Sequence, residues 1–129
     1  MILKEITKNG IVTFPLLAAR LTEIGQFARE HNYKFYQIDV SKVDSKAQLL
    51  SCFFDACEFP GYFGFNWDAL RDCLRDFSFA PASGYILSIL NSEQLRLNLP
   101  VEYQTMHDIF EEVSKVWEAE NTPFVILLG

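Results

Sequence analysis

The sequence predicts an α/β protein in which helices cover a parallel β-sheet. Short runs of β-forming residues alternate along the chain with longer runs whose apolar residues recur at helical spacing. Two of the β runs, Gly84–Leu90 and Phe124–Leu128, are almost continuously apolar, which is typical of strands buried on both faces. Strands that alternate with helices form βα units, and the strands of such units lie parallel.

The N-terminal third of the chain predicts a strand, a helix and a second strand. Residues 10–14 and residues 35–40 are rich in β-forming side chains. Between them, Pro15 is placed to open a helix that runs to about His31, because proline favours the first helical position. The apolar residues at helical spacing in this segment are Leu16, Leu17, Leu21, Ile24, Phe27 and Ala28.

Two capped helices follow, separated by a loop. Ser45 is a good N-cap for a helix over Lys46–Cys57. Its inward residues are Leu49, Leu50, Phe53 and Ala56. Pro60 and Gly64 mark the loop, and Asn66 is a good N-cap for the second helix. The apolar stripe of that helix, at i, i+3, i+4 and i+7, comprises Leu70, Cys73, Leu74 and Phe77.

The last third predicts a short helix that Ser92 caps and a longer helix over residues 105–120, before the final strand. His107 falls in the first turn of the longer helix, and Trp117 falls on its apolar side, where it joins the core. The apolar positions are Ile109, Phe110, Val113, Val116 and Trp117. The solvated side carries Glu111, Glu112, Glu118 and Glu120.

Composition narrows the class of protein. A chain of 129 residues, half of them hydrophobic, is one domain with a real core. Charged residues already occur within residues 1–5, unlike in a signal peptide. No apolar run reaches the length of a membrane span. The odd cysteine count, at Cys52, Cys57 and Cys73, argues against a disulfide framework. We therefore expect reduced thiols in a cytoplasmic protein.

Charge is unevenly distributed along the chain. Residues 1–49 hold seven Lys/Arg and five Asp/Glu, a net of +2, whereas residues 50–129 hold four and twelve, a net of −8. Such an acidic segment repels the phosphates of nucleic acid and favours a basic partner, such as a protein that itself binds nucleic acid.

The helix after the loop has an acidic face. Asp68, Asp72 and Asp76 stand at i, i+4 and i+8, where like charges repel by roughly 0.2–0.5 kcal/mol per pair. Two interpretations stay open. Arg71 and Arg75 each follow an aspartate by three residues, so the charges can form ordinary surface pairs. Alternatively, the face is kept acidic to meet a cationic partner.

From Tyr62 the sequence reads Tyr-Phe-Gly-Phe-Asn-Trp-Asp-Ala-Leu and continues through Asp72, Cys73 and Leu74. This string resembles the barstar family of intracellular ribonuclease inhibitors, and the resemblance extends over residues 34–129. It implies a small parallel sheet of about three strands covered by helices. Residues 1–33 then add a strand and a helix to a single domain of residues 1–129.

Members of this family plug the active site of a secreted ribonuclease with this loop and helix, whose carboxylates mimic RNA phosphates. The resemblance implies an inhibitor or immunity protein, as in a toxin–antitoxin pair, that binds a basic ribonuclease or ribonuclease toxin domain 1:1. Asp72 would lie deepest, Asp68 would meet an arginine and Tyr62 would pack on a catalytic histidine. Gly64 and Asn66 would allow close backbone approach. The implied partner-binding residues are Tyr62, Gly64, Asn66, Trp67, Asp68, Arg71, Asp72, Arg75 and Asp76.

Three of these positions depart from the pattern of the short family members. Arg71 and Arg75 stand where those have no cation, and Asp76 stands where they have a glycine. Two arginines are unfavourable against a basic nuclease unless its surface is acidic there. We therefore expect the target to be a related or analogous ribonuclease, not barnase itself.

The sequence does not predict an enzyme. It has no glycine-rich phosphate loop, no paired-cysteine zinc spacing and no nucleophile elbow. Cys73 with His107 is a poor nucleophile–base pair because Cys73 lies on an apolar stripe. Asp68 with Asp72 is a poor acid–base pair because one short exposed helix implies no concave site. We expect no catalytic residue, no cofactor and no metal ion.

A second class of function stays open. The chain can be a non-inhibitory interaction or regulatory module that binds another basic protein. A neighbouring gene for a small toxin favours the inhibitor, whereas a pull-down that yields a regulatory protein and no nuclease favours the module. In both cases we expect a free monomer with no nucleic-acid or membrane partner.

Overall fold

The computed structural model describes residues 8–129; the charged start and the first seven residues of the expected N-terminal extension lie outside the described residues. Strands and helices alternate along the chain. They are β1 (Gly10–Thr13), α1 (Ala18–His31), β2 (Tyr33–Asp39), α2 (Lys46–Cys57), α3 (Trp67–Asp76), β3 (Gly84–Leu90), α4 (Ser92–Asn98), α5 (Pro100–Ala119) and β4 (Phe124–Leu128).

The four strands form one parallel sheet in the order β1-β4-β3-β2. The two continuously apolar strands lie in the middle, where Leu87 of β3 is opposite Ile126 of β4. On the other side of β4, Ile126 is opposite Ile11 of β1. The predicted α/β class with a parallel sheet is therefore confirmed, and β1 from the N-terminal segment adds an edge strand to β4-β3-β2.

The sheet divides the core into two parts, because successive strand residues point to opposite faces. On one face, Ile24 and Phe27 of α1 cover Ile86, Val125 and Leu127. On the other face, α2, α3 and α5 enclose a larger cluster. Its largest fully buried side chains include Phe53, Phe77, Phe110 and Phe124.

Helix α1 begins three residues later than predicted. The chain stays extended past the end of β1, since the Phe14 N–H donates to the Leu128 carbonyl at 2.9 Å. Leu17, directly before the helix, is still extended at φ −76° and ψ 159°. Strand pairing at Phe14 thus prevails over the preference of Pro15 for a helix start.

Helix α5 begins at Pro100, five residues before the predicted start, so the placement of His107 in a first turn was wrong. Pro100 stands at the first helical position, which its fixed φ favours. Leu99 before it offers no side-chain cap, and so no capping signal marks this start. The predicted Ser92 cap was also wrong: Asn91 precedes α4, and the Ser92 hydroxyl donates to the Gly129 carbonyl at 3.0 Å.

The three cysteines are free thiols; Cys57 and Cys73 are buried and Cys52 is half-buried. Over residues 8–129, the structure contains no helix with the length and apolar character needed to span a bilayer.

Candidate functional site

The loop between α2 and α3, residues 58–66, is held by buried phenylalanine rings. The Phe59 N–H donates to the Phe54 carbonyl at 3.1 Å, and the Phe63 N–H donates to the Pro60 carbonyl at 3.0 Å. The rings of Phe59 and Phe63 are buried, with their centroids 5.0 Å apart. Both rings therefore anchor the loop on the core.

Phe65 behaves differently from the other two loop phenylalanines. Its ring is 46% exposed, although it touches Phe54 and Phe63 at centroid distances of 5.0 and 4.9 Å. Its backbone is left-handed, at φ 52°. Such a conformation is uncommon for a residue that is not glycine, and residues of this kind cluster at functional sites. The sequence carries no signal for it, because the glycine stands one position earlier, at Gly64.

Tyr62 and Trp67 differ in how far they reach into solvent. Tyr62 is 75% exposed at the tip of the loop. Trp67 is half-buried and packs on the core, with the Lys46 ammonium 5.8 Å from its ring centroid. Tyr62 is therefore the more accessible aromatic side chain of this pair.

Asn66 caps α3, as predicted from the sequence. Its Oδ1 accepts the Ala69 N–H at 2.7 Å, and its Nδ2 donates to the Gly64 carbonyl at 3.3 Å. A Cβ on Gly64 would lie only 3.1 Å from that Nδ2. Gly64 thus leaves room for the capping side chain, which sets the start of α3.

The apolar stripe of α3 is confirmed, since Leu70, Cys73, Leu74 and Phe77 are all buried. This orientation turns Asp68, Asp72 and Asp76 toward solvent. Asp68 lies in the first turn, where the helix dipole favours an anion.

Both expected arginine–aspartate pairs are formed. Arg71 Nη1 lies 2.7 Å from Asp68 Oδ1, and Arg75 Nη2 lies 2.7 Å from Asp72 Oδ1. The sequence did not predict a third contact: Arg71 Nε lies 2.9 Å from Glu112 Oε2 on α5. Helical spacing identifies pairs within one helix, whereas the contact with Glu112 depends on how α3 and α5 pack.

A cleft of about 560 Å³ opens between the loop, α3 and the end of α5, so the expectation that no concave site exists was wrong. Its charged lining residues are Asp72, Arg75, Asp76 and Glu120, and Tyr62 and Val116 also line it. Val116 and Glu120 were not among the predicted site residues. Val116 lies in the last turn of α5 and Glu120 directly follows that helix, and only the packing of α5 beside α3 brings them here.

The chemistry of the cleft does not favour a nucleophile. Burial raises the pKa of Cys73, and the charges of Asp72 and Asp76 raise it further. An activated cysteine has a lowered pKa, so the raised pKa of Cys73 makes its thiol less reactive.

Elsewhere on α5, His107, Asp108 and Glu111 bring possible ligand atoms within 4.8 Å of one another, and both carboxylates of this group are exposed.

A protein-family model described as Barstar (barnase inhibitor) matches residues 33–129. No curated protein matches the chain. The matched segment begins at β2 and contains the anchored loop, the acidic face of α3 and the end of α5 that lines the cleft. Because this match spans well over half of the sequence, the chain belongs to the barstar family.

Proposed function

We propose that the protein is an intracellular inhibitor, or immunity protein, of a basic ribonuclease. In this proposal the loop of residues 58–66 and helix α3 block the active site of the enzyme in a 1:1 complex. One observation carries the proposal. The exposed Tyr62 and the carboxylates of Asp68 and Asp72 project from a loop and helix whose opposite side is fixed in the core.

Carboxylates suit this target because a ribonuclease active site holds RNA phosphates with cationic side chains. Asp72 lines the cleft, so a cation that enters the cleft meets its carboxylate. The other carboxylates of the lining, Asp76 and Glu120, add negative charge beside it. The net charge of −8 over residues 50–129 would draw a basic enzyme toward this side and raise the rate of association.

The rest of the proposed surface supports these contacts. Tyr62 offers a large aromatic ring with a polar end, which is the type of side chain enriched at interface hot spots. Gly64 has no side chain to keep a partner away from the loop backbone, and the Asn66 cap fixes that backbone at the start of α3. Trp67 adds apolar area at the edge of this surface. The anchored phenylalanines hold the loop before the partner arrives, which lowers the entropic cost of binding.

Co-purification from the native host tests this proposal. The full chain is captured at moderate salt, and the bound proteins are identified by mass spectrometry. We expect a basic ribonuclease in equal amount, whose activity on RNA falls to zero at one equivalent of the chain. Recovery of a regulatory protein without any nuclease would contradict the proposal and favour an interaction module.

A further inference from the structure

The two arginines of α3 are held in different ways, and we propose that Arg75, not Arg71, determines which ribonuclease the chain accepts. The inference rests on the proposed function and adds a property of the target. The accepted enzyme carries an acidic group beside the cationic pocket that receives Asp72.

Arg71 is fixed from two sides. Its guanidinium donates a hydrogen bond of 2.7 Å to Asp68 on its own helix. Its buried Nε lies 2.9 Å from Glu112 on α5, a close ion-pair contact without hydrogen-bond geometry. Its side chain is only 29% exposed. Arg71 therefore joins α3 to α5, and two carboxylates already neutralise its charge.

Arg75 is held by one carboxylate and is more exposed. It lies 2.7 Å from Asp72, and 47% of its side chain faces solvent. It also lines the cleft together with Asp72, Asp76 and Glu120. In the free protein Arg75 is thus paired with Asp72, the carboxylate that the proposed function assigns to a cation of the ribonuclease.

Binding must change this pair. If the enzyme's cation takes Asp72, Arg75 either moves away or stays beside a second positive charge. An exposed ion pair shifts an equilibrium only a few-fold, so breaking the pair costs little. Burying a guanidinium without a new acceptor costs far more.

Arg75 would therefore disfavour binding to the wrong ribonuclease. A ribonuclease with only basic groups around its active site gives Arg75 no acceptor and repels it. An enzyme with an aspartate or glutamate beside its cationic pocket gives Arg75 a new ion-pair partner in place of Asp72. Specificity then comes from the unfavourable contact with the wrong enzyme as much as from the favourable contact with the right one.

The test uses barnase, the enzyme named in the family description, as the probe. Binding of the full chain is measured at fixed salt for the wild type, Arg75→Ala and Arg71→Ala, two variants that remove the same charge from the same helix. We expect Arg75→Ala to bind at least about tenfold more tightly than the wild type, because a like-charge contact disappears. We expect no gain for Arg71→Ala.

Equal gains for both variants would overturn the inference, because net charge alone would then explain them. No gain for Arg75→Ala would also overturn it, and so would the absence of measurable barnase binding by all three proteins. All of these outcomes concern barnase as the probe. The proposed function fails on a different result, namely that no ribonuclease co-purifies with the wild-type chain or is inhibited by it.

A second measurement needs no nuclease. NMR of the arginine Nε–Hε groups in the free protein reports how freely each guanidinium rotates. We expect slow rotation for Arg71, which two carboxylates hold, and fast rotation for Arg75. An Arg75 guanidinium as immobile as that of Arg71 would overturn the inference, whatever the affinities are.

Discussion

The indole N–H of Trp117 donates a buried hydrogen bond of 2.8 Å to the backbone carbonyl of Leu74. Leu74 lies in the last turn of α3, where carbonyl groups have no partner within the helix. A core side chain of α5 therefore supplies the hydrogen-bond donor for a carbonyl group at the C-terminal end of α3. Because Asp76 and Glu120 stand on the two sides of the cleft, this bond also helps to set the width of the cleft.

We expect Trp117→Phe to lower the free energy of unfolding by about 1–3 kcal/mol, because the buried Leu74 carbonyl loses its donor. Urea unfolding followed by circular dichroism measures the change. Trp67→Phe is the matched control, since Trp67 is only half-buried at the edge of the core. Similar losses for both variants would show that the hydrogen bond has no special role.

The parts of the fold that local signals determine could be predicted from the sequence. Ser45 caps α2 by accepting the Gln48 N–H at 3.2 Å, and Asn66 caps α3 in the same way. The apolar runs of β3 and β4 reach the centre of the sheet because continuous burial needs strands on both sides. The start of α5 was not predicted: Pro100 at the first helical position marks it, but Leu99 before it carries no capping group.

The candidate site could be predicted only in part, for a physical reason. Asp68 and Asp72 share a helix with Arg71 and Arg75, so spacing alone predicts both pairs. Glu112 comes from another helix, and its approach to Arg71 follows from tertiary packing. The cleft has the same origin, since one of its sides is the end of α5.

We expect Tyr62→Ala to weaken binding to the isolated ribonuclease by about 2 kcal/mol or more, the range of an aromatic hot spot. Tyr62 is 75% exposed, so its removal takes little contact away from the folded chain. The free energy of unfolding should therefore change by less than about 0.5 kcal/mol. Isothermal titration and urea unfolding give the two quantities. An unchanged affinity would remove Tyr62 from the interface.

We expect the purified chain to have no ribonuclease or esterase activity, because the buried Cys73 has a raised pKa, which opposes formation of a thiolate nucleophile. The assay uses RNA and a generic ester at high protein concentration. Cys73→Ala and Asp72→Asn serve as controls for a contaminating enzyme. Turnover by the wild type that either substitution abolishes would contradict this expectation.

The thiols give a pH dependence with a definite sign. Burial raises the pKa of Cys52, and Asp55 and Asp39 raise it further, so native Cys52 should react with a disulfide reagent only at higher pH than free cysteine does. Burial also raises the pKa of Cys57 and Cys73. The folded state then holds these protons more tightly, so the free energy of unfolding should fall as pH rises past the ordinary thiol value of 9.0. Cys52 reacting at or below the pH of free cysteine would contradict this direction.

We expect Asp72→Ala to weaken the complex with the isolated ribonuclease by about 2–5 kcal/mol, because the enzyme's cationic pocket is left buried without its anion. Barnase and barstar are the reference system for such charge pairs, so this range rests on them and not on the present chain. Unfolding should change little, since the exposed pair with Arg75 is worth about 0–1 kcal/mol. Glu118→Ala removes an exposed carboxylate of α5 that does not line the cleft, and it should leave the affinity nearly unchanged. The affinities of the wild type and both variants are measured by titration at one salt concentration. Equal affinity of the wild type and Asp72→Ala would exclude the hypothesis that the Asp72 carboxylate takes the place of an RNA phosphate.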